Sequence, residues 1–358
     1  MASFKKLSGL KKKVTGMTDT SLLLTITVLV FFAMYLGAVL FLGEGFLKPQ
    51  TFFNMLNQNA ALLIVSCGMT LVMITGGIDI SVGGVVALVS MCCAINLDCH
   101  GGNIFQAILI SLVIGLLFGI VQGYLVAYLE IQPFIVTLAG MFFARGMTTI
   151  VCEKEFGKVI QFNVENEAFV KIKDTRINMP EFLGTVSKRG VFIPAYIELG
   201  VIVAILIVLI LFCVLRWTKT GRKFYAVGGN NQSALMLGVN VKRTKFTAHV
   251  ICGLLAGVGG FVYFLHIGSG SPTHAAGMEM NAIASSIIGG TMLSGGIGSI
   301  IGALFGVLSL STIKDIVSSM GFDENWWTGI TVAAMLCLFL IIQSIVMARK
   351  SSAGSKIE

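Results

Sequence analysis

Few side chains in this sequence could do chemistry, and those few sit in apolar surroundings. Asp79 lies in ITGGIDISVGG, Ile74 to Gly84, between two hydrophobic runs. Two roles are open to it. It either caps a helix or lies among cytoplasmic headgroups, or it belongs to a pathway, since carboxylates inside a membrane are functional by default. Arg145, in LAGMFFARGMTT, needs a partner, a wet cavity, or a route to the surface along its own stem. Phe142 and Phe143 just before it either stack on the C–H faces of a sugar or pack against lipid and core. Glu279 and Asn281 open another apolar run. The acid there favours the positive end of a helix, and the pair could hydrogen-bond a polyol. Trp326 and Trp327 begin the last run, where aromatic belts mark a membrane interface.

Other chemistries are missing. The four histidines show no ligand spacing, and the eight cysteines form no CxxC pair. Cys99 and Cys152 fall on the outer side, either bridged or as two free thiols. No GxxxxGK[ST] phosphate loop occurs; the nearest dipeptide, Gly157-Lys158, is followed by Val159. No acid, base or metal set converges at one depth, which argues against an enzyme. No aromatic-basic interleaving points to nucleic acid.

The elements that must hold these residues are membrane helices. The 358 residues are 56% hydrophobic and 12% charged, with a mean hydropathy of +0.90, against about 25% charged in a soluble domain. Apolar runs predict an all-α integral membrane protein of about ten spans: 21–42, 57–75, 80–95, 104–129, 133–151, 197–215, 247–266, 279–293, 298–316 and 326–347. The third and eighth are short and partly re-entrant or broken. The first is too long for a signal-peptide core, and no small-residue cleavage site follows it. Basic residues cluster before the first span (Lys5, Lys6, Lys11, Lys12, Lys13), in the loop Arg216–Lys245 and in the tail (Arg349, Lys350, Lys356). An even span count places all three clusters, and both termini, in the cytoplasm. The chain thus divides into a basic N-terminus (1–20), one transmembrane domain (21–347) and a tail (348–358). The domain carries an external loop (152–195), predicted to form a small cap, and a cytoplasmic loop (216–246).

Glycines recur at helical spacing in Gly115/Gly119/Gly123, Gly253/Gly257 and Gly298/Gly302/Gly306, which predicts close helix packing. Gly76-Gly77…Ser81 matches Gly289-Gly290…Ser294 at an offset of 213 residues. In both copies the glycine pair should end one helix and the serine cap the next. Met292 stands where the first copy has Asp79. Within the cytoplasmic loop, NQSALMLG predicts a short helix capped by Asn231 and stopped by Gly238. So short a helix gains little alone, so it is either docked into another protein or an ordinary connecting turn.

Three stretches together resemble the permeases of bacterial ABC sugar importers of the ribose/galactose/xylose type: GMTLVMITGGIDISVGG (Gly68–Gly84), FYAVGGNNQSALMLGVNV (Phe224–Val241) and AIASSIIGGTMLSGGIGSIIGALFGV (Ala282–Val307). The resemblance runs in order from Asn57 to Met347. VTLAGMFFARG (Val136–Gly146) and WWT (Trp326–Thr328) look most like a galactofuranose importer permease. It implies a bacterial inner-membrane protein that works beside a second permease, the same or an unlike chain. A cytoplasmic ATPase with two nucleotide-binding domains would hold the Mg-ATP, leaving no cofactor in this chain. An extracytoplasmic sugar-binding protein would deliver the cargo. It also implies ATPase coupling through Gly228, Gly229, Asn230, Asn231, Ala234, Leu237 and Gly238. The expected sugar pathway comprises Asp79, Ser81, Phe142, Phe143, Arg145, Glu279, Asn281, Ser294, Trp326 and Trp327, opened alternately to each side. The external loop is longer and more charged than in that family. The competing reading is an ion-driven secondary transporter using Asp79, Glu198, Glu279 and Asp315.

Overall fold

A computed structural model describes residues 19–186, 192–322 and 324–354. The N-terminal lysines and Lys356 lie outside the described residues. Fourteen helices are described. In chain order they are α1 (Asp19–Leu42), α2 (Glu44–Leu47), α3 (Pro49–Ile74), α4 (Val82–Asp98), α5 (Ile104–Ala127), α6 (Pro133–Phe156), α7 (Glu167–Lys173), α8 (Leu199–Trp217), α9 (Lys219–Gly229), α10 (Asn231–Met236), α11 (Val241–Ile267), α12 (Met278–Ile288), α13 (Ile300–Ser319) and α14 (Glu324–Gly354).

Each of the ten predicted spans is a helix. Eight are long and apolar enough to cross a membrane, and the exceptions are the two runs marked short from sequence, α4 and α12. The 11 residues of α12 reach only about 16 Å at the helical rise, roughly half the hydrocarbon thickness of about 30 Å. Its chain then turns irregularly through 291–299 before α13 begins.

The bundle is built around α3, whose residues from Ala60 to Ile74 are all buried. A helix apolar on every side belongs in a core. Against it pack α11, α13, α12 and α8. The glycine rows do what their spacing predicts. A Cβ on Gly115 would strike the Gly253 carbonyl, and one on Gly253 would strike the backbone of Gly119, so α5 and α11 touch backbone to backbone. Gly302 and Gly306 of α13 approach the Gly289 and Ser285 carbonyls in the same way.

At one end lies the basic loop with α9 and α10, here called the basic end. The opposite end carries a small cap. Its strands are β1 (Phe162–Asn163), β2 (Arg176–Asn178), β3 (Thr185–Val186), β4 (Phe192–Ile193), β5 (Tyr196–Glu198) and β6 (Ser269–Gly270), paired β1–β6, β2–β5 and β3–β4. Asp98, at the end of α4, accepts the Glu165 and Asn166 N–H groups at 2.9 and 3.0 Å and pins the cap to the bundle. Cys99 and Cys152 are both free thiols, the second buried.

Gly115→Val should therefore lower the thermal stability of the purified protein by about 2 kcal/mol or more, the scale of overpacking a close contact. Gly37→Val on α1, where nothing lies within 4 Å of an added Cβ, should leave the melting curve in place. Equal melting of both variants would refute the close approach.

Candidate functional site

Near the capped end, α3, α11, α12 and α13 surround an open polar cavity of about 370 Å3. Gln58 and Asn59 come from the early turns of α3, Asn281 from the first turns of α12, Lys314 from α13, Tyr263 from α11 and Thr273 from the loop after β6. Amides, hydroxyls and one ammonium offer hydrogen bonds without a fixed anion site, which suits a neutral polyol. Asn59 Nδ2 also donates to Ser311 Oγ at 3.0 Å. Below the cavity the seam between α3 and α12 is closed by hydroxyl pairs: Ser66 with Ser285 at 2.8 Å, and Thr70 donating to Ser286 at 3.0 Å. Leu62, Ser66 and Thr70 follow one another at i+4, so one face of α3 runs from the cavity into this seam.

Arg145 and Glu279 meet beside the cavity. Arg145 lies three turns from the end of α6, which runs on to Phe156 past the predicted end at 151, and does not run along its stem to the surface. Its guanidinium donates to the His274, Ala275 and Pro272 carbonyls and stands 4.0 Å from Glu279 Oε2. The Glu279 carboxylate lies over Gly83 of α4, in space that any Cβ there would occupy. This acid also faces the positive end of α12. The cluster thus fixes the start of the short helix.

The first helix break lies toward the basic end. α3 stops in a Schellman turn: Gly76 has φ +82°, its N–H bonds Met73 O, and Gly77 N–H bonds Val72 O. α12 stops in the same turn, with Gly290 at φ +85° and bonds from Gly290 to Ile287 O and from Thr291 to Ser286 O. Gly76 therefore corresponds to Gly290, an offset of 214, one more than the sequence match gave. The serine roles change with it. Ser81 occupies the N-cap position of α4 but makes no side-chain cap bond. It is Asp79 that accepts, taking the Ser81 N–H at 3.0 Å and its hydroxyl at 2.6 Å. Ser294 is exposed in the 291–299 turn, and Ser299 caps α13 instead.

Asp79 is 1% exposed, a buried brace for the break and not a headgroup-facing acid. Around it stand residues that no sequence spacing flagged. Gln122 Oε1 lies 3.1 Å from the Ser81 hydroxyl, and the Cys252 thiol faces the Asp79 carboxylate. His249 Nδ1 meets Lys245 O at 3.0 Å. A carbonyl only accepts, so Nδ1 carries the proton. Gln122 Nε2 and His249 Nε2 are buried without a hydrogen-bond partner among the described residues.

At the basic end, α9 rests directly on both breaks. Gly228 leaves no room for a Cβ against Ile74 O and Gly296 N, and Gly296 N–H donates to Ile74 O at 2.9 Å. A Cβ on Gly295 would crowd Gly228 O and Gly76, and the Tyr225 hydroxyl donates to Gly298 O at 2.9 Å. Asn230, one residue earlier than predicted, caps α10 by accepting the Ser233 N–H at 2.8 Å, and Asn231 is the first helical residue. Gly238 ends the stub at φ +78°. Ala234 is 2% exposed and faces the protein's own bundle, while Leu235, Met236 and Leu237 are 65, 88 and 81% exposed. The outward surface is thus these three apolar side chains, not Ala234. Beside the stub, Lys242 bonds Glu130 at 2.8 Å and holds that carboxyl below its ordinary range.

Of the ten sequence candidates for the pathway, Asn281 is the one that lines the cavity. Phe142 and Phe143 are exposed on α6, Phe143 beside Phe118 of α5. Trp326 and Trp327 are exposed at the start of α14, where Trp327 stacks on Phe322. The carboxylates do not converge either: Glu198 bonds His266 at 2.6 Å, Glu279 faces Arg145 and Asp79 faces Ser81. Among the described residues no cluster could hold a metal ion.

Removing Arg145 strands the buried Glu279 carboxylate. Arg145→Gln should cost about 3 kcal/mol in the melting of purified protein. Arg145→Gln with Glu279→Gln should recover most of it, because no charge is left unpaired. Additive losses in the double variant would show that the two do not act together.

The family described as branched-chain amino acid transport system / permease component matches residues 51–340. The fructose import permease protein FruG of Bifidobacterium longum is 33% identical over 92% of this chain and 93% of its own length. The inner membrane ABC transporter permease protein YjfF of Escherichia coli is 34% identical over 91% and 93%. The ribose import permease protein RbsC of Escherichia coli is 31% identical over 85% and 88%. No solved structure matches the chain. With the family spanning most of its length and its helices forming a multi-pass bundle, the chain belongs to the branched-chain amino acid transport system / permease component family.

Proposed function

We propose that this chain is the membrane-spanning subunit of an ATP-driven monosaccharide importer in a bacterial inner membrane. The sugar enters through the polar cavity, and a cytoplasmic ATPase with two nucleotide-binding domains binds the basic end. The observation that carries this reading is the stub: three large apolar side chains stand in solvent on a capped helix too short to persist alone. Such a surface fits a protein groove. Beneath it, Gly228 touches both helix breaks, so a push on the stub reaches α3 and the 291–299 turn together.

The relatives named for fructose and ribose import support a monosaccharide as cargo. The galactofuranose-like stretches make that sugar the first to test. The cavity is open, in keeping with a carrier that must release what it binds. A second permease, the same or unlike, and an extracytoplasmic binding protein complete the proposed assembly. An ion-driven carrier has less support, since Asp79, Glu198 and Glu279 face different partners.

Met236→Asp with Leu237→Asp should cut uptake in cells by at least about ten-fold, as loss of an interface anchor does, and abolish co-purification of the ATPase at unchanged melting temperature. Ala234→Asp should instead lower the melting temperature, because it buries a charge. Full uptake by the double variant would refute the docking surface. Uptake that survives an inactive ATPase but collapses with an ionophore would establish the ion-driven alternative.

A further inference from the structure

On the basic end, away from the stub, a groove of about 400 Å3 opens between the start of α1, the end of α8, α9 and the start of α13. Its floor is apolar, formed by Leu24, Phe212 and Leu215, and its lining includes Arg216, Arg222 and the Tyr225 hydroxyl. Both arginines are exposed, and neither guanidinium has an ion pair or hydrogen bond among the described residues. No Asp or Glu lines the groove. Two unpaired guanidiniums facing one cavity attract a phosphate, for which their planar forks are shaped.

An apolar floor does not suit a free anion. α1 and α8, which wall the groove, expose large apolar side chains along their length, among them Leu29, Leu36, Leu206 and Leu209. The groove therefore opens beside surface that lipid chains cover in a membrane.

We propose that this groove binds the phosphodiester headgroup of an anionic phospholipid, with Arg216 and Arg222 on the phosphate and an acyl chain along Phe212 and Leu24. Tyr225 borders the groove and also bonds Gly298 O in the 291–299 turn. A lipid held there braces α9 against that turn. The binding requires no assumption about the ATPase.

The test uses the full chain in nanodiscs of phosphatidylcholine with a minority of phosphatidylglycerol, scored by native mass spectrometry of retained lipid. Wild type should retain phosphatidylglycerol in preference to phosphatidylcholine and keep it in excess inorganic phosphate. R216Q/R222Q should bind it about five-fold more weakly for each charge removed. R216K/R222K, which keeps both charges but loses the planar forks, should bind between wild type and R216Q/R222Q. Lys223→Gln, outside the groove, should match wild type. Equal retention by R216Q/R222Q, a comparable loss in Lys223→Gln, or no preference over phosphatidylcholine overturns the proposal. Displacement by inorganic phosphate assigns a small-anion site and overturns the lipid.

Discussion

Two helices, α3 and α12, stop inside the bundle, where a peptide group left without a partner costs several kcal/mol in apolar surroundings. Each break first satisfies itself with a Schellman turn. They then join: the Gly296 N–H donates to the Ile74 carbonyl. That bond forms only because Gly76, Gly228, Gly295 and Gly296 bring three backbone segments into contact without side chains between them. α9 is the third segment, so the basic end of the protein is mechanically one with both broken helices.

The rest of the architecture serves this junction. At the far end of α12, Arg145 and the loop carbonyls hold Glu279 and fix where the short helix begins. Along its side, paired hydroxyls close the seam with α3. On the other side of the first break, Asp79 ties the loop to Ser81 and Gln122 lies against the Ser81 hydroxyl. The polar cavity sits at the top of this seam and the stub at its bottom. A sugar in the cavity and a protein on the stub would thus press on opposite ends of the same pair of helices.

Much of this was legible in the sequence because it is written in local patterns. Ten apolar runs marked the ten helices, and the two short ones were singled out by length. Glycines at i+4 marked the α5–α11 contact, and NQSALMLG marked the stub, with its cap placed one residue late at Asn231. What failed was what local pattern cannot encode. The repeat register slipped by one, since adjacent glycines let either carry the positive φ. Ser81 looked like a cap, but its hydroxyl donates to the Asp79 carboxylate two residues earlier and makes no cap bond. The facing of Ala234 depends on how a six-residue helix is rolled against α11 and α9. Gln58, Asn59, Tyr263 and Lys314 are scattered across more than 250 residues and become a cavity only when four helices pack.

The junction is tested most directly by comparing Gly228→Ala with Gly229→Ala in the assembled transporter. A Cβ at Gly228 collides with Ile74 O and Gly296 N, while one at Gly229 meets nothing within 4 Å. Uptake by folded Gly228→Ala should fall by about ten-fold or more, the scale of a lost coupling between sites, with the ATPase still bound and Gly229→Ala near wild type. Wild-type uptake by a folded Gly228→Ala protein would contradict a junction that depends on backbone contact.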